Sequence, residues 1–313
     1  MNNTYALTAP VALPDSGYVR EFEAAIDYLG DHLMAVTGTL RDHHLAIEYR
    51  WQVRVPDYVI VAAEGRHLAG EPGTLDPVLA TRAGAIAGSR ASQGFSRAMR
   101  EALGTGAGLR EHLALAMDMA RVSLQGFPVP RDDHQRFAHL AAGIDNPASR
   151  LARMAWERDR ADWGNVCNTC VAYRDESAAL FAAREVRCFD LNLVSPAPGQ
   201  KNFFQRRKQL GVAARADGQG YDLRHTMHDT FHEFDISLTL GHDGTVNAAS
   251  NDWRRLAFMG ICEDGQHGLP TLVGHRLDGA YARAVADHVG GRNGCSHVFD
   301  LTVDCLRFFD WRA

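Results

Sequence analysis

The sequence predicts an α+β fold built from two similar repeats joined by a helical insert. Strand-like alternation of apolar and polar residues is concentrated in two regions, 20–61 and 207–249. Helical spacing and a glycine-rich turn follow each region, whereas the segment between the repeats has mostly helical spacing. We therefore expect a first repeat over 1–125, an insert with a linker over 126–206, and a second repeat over 207–313.

The composition is that of an ordinary globular protein and narrows the classes of function. The chain has 313 residues, a net charge of −5 and a pI near 6.3. A net negative chain does not favour a nucleic-acid or anionic-membrane partner. No apolar run reaches the roughly 18 residues of a membrane span, and residues 1–14 do not resemble a signal peptide. We expect a cytoplasmic protein whose six cysteines are thiols or metal ligands rather than disulfides.

The first repeat is predicted to contain two β-hairpins followed by two helices. Its strands are expected at 21–28, 33–40, 45–55 and 58–61. Its helices are expected at 76–103 and 109–124, separated by the glycine-rich turn 104–108. Each repeat is thus expected to be a small antiparallel sheet that carries two helices.

The second repeat has the same predicted order of elements. Its strands are expected at 207–214, 221–224, 234–240 and 245–249. One helix is expected after Gly274, and the turn 290–294 opens another, with Ser296 as its N-cap. Cys295 and His297 are therefore expected at a helix N-terminus, where the dipole lowers the pKa of a thiol and favours anions.

A nearly constant offset of about 187 residues relates the two repeats, which indicates an internal duplication. Asp42 aligns with Asp229, and the glycines of the 104–108 turn align with those of the 290–294 turn. A one-residue adjustment then pairs His112 with His297.

The insert combines two predicted helices, at 134–142 and 148–160, with two short motifs. Cys167-x-x-Cys170 has the spacing of half a zinc knuckle or of a dithiol pair, but a second such pair is absent. Packing cysteines are the alternative. In the run 173–176 (YRDE), Tyr and Asp suit acid–base work on a phenol or alcohol, and Arg suits an anion. A solvated helix start is the alternative there.

The second repeat resembles a bacterial family, domain of unknown function family 2889, over about residues 194–311. The pieces that carry the resemblance are 206–207 (RR), 217–222 (DGQGYD), 229–230 (DT), 232–233 (HE), Cys262 and 290–298 (GGRNGCSHV). The last of these is similar to the Gly-Cys-Thr-His-Leu signature of the family. Phe204 and Glu233 depart from the family pattern, which usually has His and Asp there. The resemblance implies an α+β fold without a settled activity, and an association with aromatic-compound catabolism.

Five residues of the second repeat form the candidate site: Asp229, His232, Cys262, Cys295 and His297. A His/Cys/Cys/His set could hold zinc, although metal ligands usually occur in short paired spacings. A structural role would make Cys295 a packed thiol and His297 a brace of the turn. Catalysis would use His297, oriented by Asp229. Strand alternation places His228 and His232 on one face and His225 on the other.

The sequence lacks the phosphate-binding, dinucleotide-binding, nucleophile-elbow and His-Glu-x-x-His motifs of common enzymes. Together with the polar run 173–176 and the association with aromatic catabolism that the resemblance implies, this absence leads us to predict a lyase without a cofactor. It would act by acid–base chemistry on a small, lignin-derived phenolic compound and release formaldehyde. His232 and His297 would carry protons, Asp229 would orient them, and Tyr173, Arg174 and Asp175 would contact the phenol.

We expect the site in a cleft between the repeats. Two other functions stay open: a non-catalytic module for small-molecule binding or assembly, and a zinc-dependent hydrolase. The sequence is also compatible with a homo-oligomer.

Overall fold

The computed structural model describes residues 17–71, 73–92, 94–129, 131–162 and 166–306. The ends of the predicted repeats, 1–16 and 307–313, lie outside these residues. The chain divides into two compact units. The N-terminal unit comprises Val19–Pro130 and Asn192–Gln209, and the C-terminal unit comprises Met1–Tyr18, Arg131–Leu191 and Leu210–Ala313. In this division, residues 131–191 of the predicted insert belong to the C-terminal unit, and the rest of the insert belongs to the N-terminal unit.

The α+β class is confirmed, and the N-terminal unit has the predicted strands followed by helices. Its strands are β1 (Tyr18–Gly30), β2 (Leu33–Arg41), β3 (Leu45–Arg54) and β4 (Val59–Gly70). Its helices are α1 (Pro77–Arg82), α2 (Phe95–Leu103) and α3 (Leu109–Gln125). The strands pair antiparallel in the order β4-β3-β2-β1.

One face of this sheet is buried beneath helices because alternate strand residues are large and apolar. On β3, Ile47, Tyr49 and Trp51 are all buried. Helix α3 lies close to β2 at Gly38, where a Cβ would come within 2.6 Å of Met119 Cγ. A side chain at that position would therefore require the side chain of Met119 to move.

The single helix predicted over 76–103 is wrong. Helix α1 ends at Arg82, a 3₁₀ turn covers Ala83–Ile86, and α2 starts only at Phe95. Gly88 and Gly94 interrupt the helical path with φ angles of +91° and +83°. These are left-handed conformations that an α-helix cannot contain, and apolar spacing alone did not reveal them.

The part of the insert that belongs to the C-terminal unit is mainly helical, as predicted. A 3₁₀ segment spans Arg131–Ala141, and α4 (Pro147–Asp162) and α5 (Leu180–Ala183) follow. The two-residue strand β5 (Arg187–Cys188) pairs with β10 (Phe258–Met259). Side chains of these elements form one buried core together with β10 and the residue that follows it closely, Ile261. The core includes Trp156, Phe181, Phe258 and Ile261.

The rest of the C-terminal unit again has strands followed by helices. Its strands are β6 (Phe204–Ala214, which enters the unit at Leu210), β7 (Tyr221–Asp229), β8 (Glu233–Leu240) and β9 (Val246–Arg255). After two 3₁₀ turns come α6 (Tyr281–His288) and α7 (Ser296–Asp304). The strand order is β6-β7-β8-β9. Apolar residues of β8, including Phe234 and Ile236, share a buried core with Val298 and Leu301 of α7.

The two regions of repeat-like sequence have the same order of elements, with four strands before the helices. An isolated bridge pairs Val59 with Arg90 in the first region and Thr245 with Arg276 in the second. The internal duplication and its pseudo-symmetry stay predictions. None of the helices in the described residues is long and apolar enough to cross a membrane.

Candidate functional site

The connection between β7 and β8 is organised by the carboxylate of Asp229. Asp229 Oδ1 accepts hydrogen bonds from the backbone N–H groups of Phe231 and His232, each at 2.7 Å. The N–H of Asp229 in turn donates to the carbonyl of His232 at 2.8 Å. Short polar side chains stabilise turns in this way by binding their own backbone two or three residues on. The carboxylate therefore has a defined position at the end of β7.

The same carboxylate orients the imidazole of His232. His232 Nδ1 lies 3.0 Å from Asp229 Oδ1 and 3.3 Å from Oδ2. Because an ionised carboxylate only accepts hydrogen bonds, Nδ1 carries the proton. Nε2 has no hydrogen-bond partner in the described part of the chain. The neutral ring therefore has its lone pair on Nε2, as a general base requires.

His297 lies beside His232 although the two are far apart in sequence. It occupies the first turn of α7, and its ring centroid is 4.1 Å from that of His232, with an angle of 40° between the planes. Phe234 lies 6.4 Å from both rings. The structure thus brings together the three residues predicted for catalysis, and all three belong to the C-terminal unit.

Arg255 supports the turn that carries the dyad of Asp229 and His232, and sequence reasoning missed it. Its Nη2 donates to the carbonyl oxygen of Asp229 at 2.8 Å and lies 3.5 Å from that of His232. Arg255 is the last residue of β9, and it pairs in register with Glu233 of β8. The sequence holds 33 Lys and Arg residues, so only the pairing of the strands singles this one out.

Aromatic side chains form a row next to His232. The ring of Phe231 packs against Phe189 with centroids 4.3 Å apart. Phe189 lies 6.5 Å from Phe258, and Phe258 meets Tyr173 edge to face at 5.8 Å. We refer to these four residues as the aromatic row. Its Phe231 end lies 6.5 Å from the His232 ring, so apolar rings adjoin His232 and His297, which we refer to as the imidazole pair.

The insert contacts the glycine-rich turn that precedes α7. The N–H of Val171 donates to the carbonyl of Gly294 at 2.9 Å. Arg174 Nη1 donates to Asn293 Oδ1 at 3.0 Å, and Arg292 forms an ion pair with Glu176. The insert therefore holds in place the glycine-rich turn that leads into α7, the helix on which His297 lies.

Cys295, and not the predicted Ser296, is the N-cap residue of α7. The predicted lowering of its pKa is also wrong, because burial raises the pKa of the Cys295 thiol. Hydrogen bonds from the backbone N–H groups of Val298 and His297 act in the opposite direction but are outweighed. Burial likewise raises the pKa of Cys262, and that of Cys170 to about 11. All three are therefore neutral thiols near pH 7.

The predicted zinc ligands do not assemble into a metal site. Among the described residues, no three His, Cys, Asp or Glu side chains come together in a group that could hold a metal ion. Cys262, Cys295 and His297 belong to that part of the chain. Cys167 and Cys170 form no disulfide, and neither do the other four cysteines, all of which lie among the described residues.

Part of the chain that contains this site matches a known protein family. Residues 210–307 match the family model described as protein of unknown function (DUF2889). The matched residues make up about a third of the chain, and we refer to them as the DUF2889 domain. No curated protein and no solved structure matches the chain.

The catalytic candidates Asp229, His232 and His297 lie within the DUF2889 domain. The predicted substrate-binding residues Tyr173 and Arg174 come from the insert, which precedes the matched segment. The DUF2889 match therefore contains the imidazole pair but only part of the aromatic row.

The polar groups of Tyr173 and Asp175 are engaged within the protein. The hydroxyl of Tyr173 donates to Asp159 Oδ2 at 2.7 Å. Asp175 forms an ion pair with Arg160 and accepts a hydrogen bond from Asn168. Burial raises the pKa values of both Tyr173 and Asp159. Substrate contact by these residues stays a prediction.

The predicted strand faces of His225, His228 and His232 are wrong. His225 is buried, and its Nδ1 lies 3.0 Å from the carbonyl of Leu301 in α7. His232 is also buried, whereas the side chain of His228 is 51% exposed beside Asp235. Strand alternation fails at His232 because the turn that starts at Asp229 interrupts it. His225 and His232 therefore both face the core, and His228 does not.

Proposed function

We propose that the chain is an acid–base lyase that needs no cofactor and acts on a small, lignin-derived phenolic compound with release of formaldehyde. The observation that supports this most is the pair of adjacent imidazoles, one of which is oriented by a buried carboxylate. The proposed reaction needs one group that donates a proton and one that accepts a proton at neighbouring atoms of the substrate. His232 and His297 supply such groups within the DUF2889 domain.

His232 suits the role of general base. Its Nδ1–H is bound to Asp229, so Nε2 is available to accept a proton, and the carboxylate stabilises the imidazolium that forms. The side chain of Asp229 is fully buried, which strengthens this interaction because water does not screen it.

His297 suits the role of the second proton carrier. Its ring lies next to that of His232, and two imidazolium ions at 4.1 Å would repel each other. Double protonation of the pair is therefore disfavoured, and in the proposed reaction one ring donates a proton while the other accepts one.

The aromatic row supports an aromatic substrate. The buried Phe231 and the half-buried Phe189 are apolar neighbours of the imidazole pair, and aromatic rings pack well against such side chains in offset or edge-to-face arrangements. A substrate ring bound next to them would have its side-chain carbons near the two histidines.

The proposed reaction is redox-neutral. A phenolic substrate loses its proton and a protonated benzylic oxygen leaves, giving a quinone methide. The base then removes the proton of a neighbouring hydroxymethyl group. The electron pair of the bond to that carbon returns to the ring, so the phenolate is restored and formaldehyde departs. His297 would protonate the leaving oxygen, and His232 would deprotonate the hydroxymethyl group.

The test is to incubate the purified full chain with a phenolic lignin-type dimer that carries a benzylic oxygen and a neighbouring hydroxymethyl group. We expect formaldehyde and the shortened product in equal amounts. His232→Ala and His297→Ala should each lower kcat by about 10²- to 10⁴-fold while circular dichroism stays unchanged. His228→Ala, which alters an exposed histidine, is the matched control.

Unchanged dimer with the folded wild-type chain would contradict the proposal. If His297→Ala instead unfolds the protein, His297 is a structural brace of the turn, and the chain is better described as a binding or assembly module.

A further inference from the structure

A second cluster of titratable side chains lies in the N-terminal unit, outside the DUF2889 domain. It consists of Tyr49 on β3, His67 on β4 and His112 in the first turn of α3. Tyr49 Oη lies 2.6 Å from His112 Nδ1, and His112 Nε2 lies 3.0 Å from His67 Nε2. Tyr49 and His112 are fully buried, whereas His67 is half-buried. The proposed function uses none of these residues.

The hydrogen bonds of the cluster determine where each proton lies. The hydroxyl of Tyr49 has no acceptor in the described residues other than His112 Nδ1, so it donates there. A neutral His112 then carries its proton on Nε2 and donates it to His67 Nε2. His67 must consequently carry its own proton on Nδ1.

The surroundings keep both imidazoles neutral near pH 7. Burial lowers the pKa of His112 to about 4, with His67 adding to the effect. Burial also lowers the pKa of His67, and the charge of Asp76 opposes the shift at both rings. Burial raises the pKa of the Tyr49 phenol. The hydrogen bonds therefore run in a single direction, from the buried Tyr49 through His112 to the half-buried His67.

The backbone of β4, an edge strand of the sheet, places His67 at the partly exposed end of this cluster. His67 pairs with Ile47, and Ala69 pairs with Ala46, so Leu68 is an extra residue in the ladder. Such bulges redirect side chains and are frequent beside functional sites. Gly65 leaves room for the phenol of Tyr49, because a Cβ there would lie 2.6 Å from its ring.

His67 Nδ1–H is thus a donor without a protein acceptor in the part of the chain that the structure describes. A neutral imidazole that presents an N–H is an electrophile suited to a carbonyl oxygen, and triosephosphate isomerase polarises its substrate in this way. Because the carboxylate of Asp76 acts on both rings, a neutral ligand fits better than an anion.

We propose that the N-terminal cluster is a binding site for a small neutral carbonyl compound, an aldehyde or a ketone. His67 Nδ1–H donates to the carbonyl oxygen, and Tyr49 and His112 fix the tautomer that makes this possible. This site is separate from the imidazole pair of the DUF2889 domain and does not depend on the proposed lyase activity.

The first test measures the tautomers by ¹⁵N NMR of the full chain labelled at histidine. We expect the proton of His67 on Nδ1 and that of His112 on Nε2 at pH 7. Tyr49→Phe removes the hydroxyl that fixes His112 and should shift both rings toward mixed tautomers. A wild-type His67 with its proton on Nε2 would overturn the proposal.

The second test titrates the full chain with benzaldehyde and follows the His67 Nδ1–H resonance and Overhauser contacts to the formyl proton. We expect saturable binding that weakens by about tenfold or more in His67→Leu. Benzyl alcohol, which lacks the carbonyl, should bind correspondingly less well. His232→Ala should leave the signal in place, because it alters only the other site. Equal responses to aldehyde and alcohol, or undiminished binding in His67→Leu, would overturn the proposal.

Discussion

Asp229 has a structural and a chemical task at the same time. Its Oδ1 accepts the backbone N–H groups of Phe231 and His232, and it also binds the imidazole of His232. An amide at this position would keep the two backbone bonds through its oxygen. It would lose the negative charge that stabilises a protonated His232.

Asp229→Asn separates the two tasks. We expect kcat of the proposed reaction to fall about a hundredfold or more, with the free energy of unfolding changed by about 1–2 kcal/mol. Steady-state kinetics and urea unfolding measure the two quantities. An unchanged kcat would show that the carboxylate serves only the turn.

His112 should make stability depend on pH. Its pKa is lowered from 6.5 to about 4, so the unfolded chain binds a proton more readily than the native chain between these values. Stability is therefore complete above about pH 6.5 and declines as the pH falls to about 4, by roughly 3 kcal/mol. The groups that face this ring are Tyr49, His67 and Asp76.

The measurement compares urea unfolding of the wild type and His112→Gln from pH 7 to pH 4. The difference between their slopes isolates the contribution of His112, because the carboxylates titrate in both proteins. His228→Gln, at an exposed position, should keep the wild-type slope. Parallel curves for the wild type and His112→Gln would contradict the prediction.

At the scale of the element, the glycine-rich turn before α7 places His297. A Cβ on Gly294 would lie 1.9 Å from the carbonyl oxygen of Val289, which is backbone and cannot rotate away. Gly291 has a φ of +69°, but no heavy atom of another part of the chain lies within 4 Å of its added Cβ. A side chain at Gly294 is therefore excluded by lack of space, whereas at Gly291 only the backbone conformation restricts it.

Gly294→Ala should displace the turn and cost at least about 2 kcal/mol of unfolding free energy. Gly291→Asn is the matched control, since asparagine tolerates the left-handed conformation, and it should cost less than about 1 kcal/mol. Thermal or urea unfolding measures both. Equal losses would mean that conformation and not space governs this turn.

Prediction of elements from the sequence was most accurate where one face of a strand is buried. The alternation over 45–55 predicted β3 because Ile47, Tyr49 and Trp51 are buried and apolar, whereas Glu48 and Arg50 between them are charged. It failed for the helix over 76–103, where the apolar spacing continues across residues that are not helical. A glycine is compatible with several backbone conformations, so its φ is decided by the packing around it.

At the scale of the whole molecule, residues 131–191 of the insert and the DUF2889 domain belong to one compact unit although the family match covers only residues 210–307. Trp156 of the insert is buried, and its Nε1 donates to the carbonyl of Ala172 at 2.6 Å. The neighbouring Val171 binds Gly294. Loss of packing around Trp156 should therefore affect the glycine-rich turn before α7, the helix on which His297 lies.

Trp156→Ala should lower the free energy of unfolding by about 3–5 kcal/mol. Hydrogen exchange followed by mass spectrometry should show faster exchange in peptides that cover 166–178 and 290–297. Leu151→Ala on the same helix, where the side chain is 43% exposed, is the control and should change neither quantity appreciably. Faster exchange confined to α4 would show that the insert and the turn are not coupled.

Much of the candidate site was predictable because its members are chemically distinctive. Asp229 and His232 are close in sequence, and His297 follows a run of glycines, so residue type and spacing were enough to select them. Arg255 and Phe189 were missed, since nothing in their local sequence distinguishes them from other arginines and phenylalanines. The His67–His112–Tyr49 cluster was missed for the same reason, as its members come from two strands and a helix.

The sequence by itself determined the α+β class, the order of strands and helices, and the resemblance that the family match confirms, because these depend on local periodicity and on the types of nearby residues. Only the tertiary structure decided that the insert braces the glycine-rich turn, that burial raises the pKa of Cys295, and that His232 lies against His297. These features depend on contacts between residues distant in the chain, and burial and charge there are set by neighbours that sequence spacing does not specify.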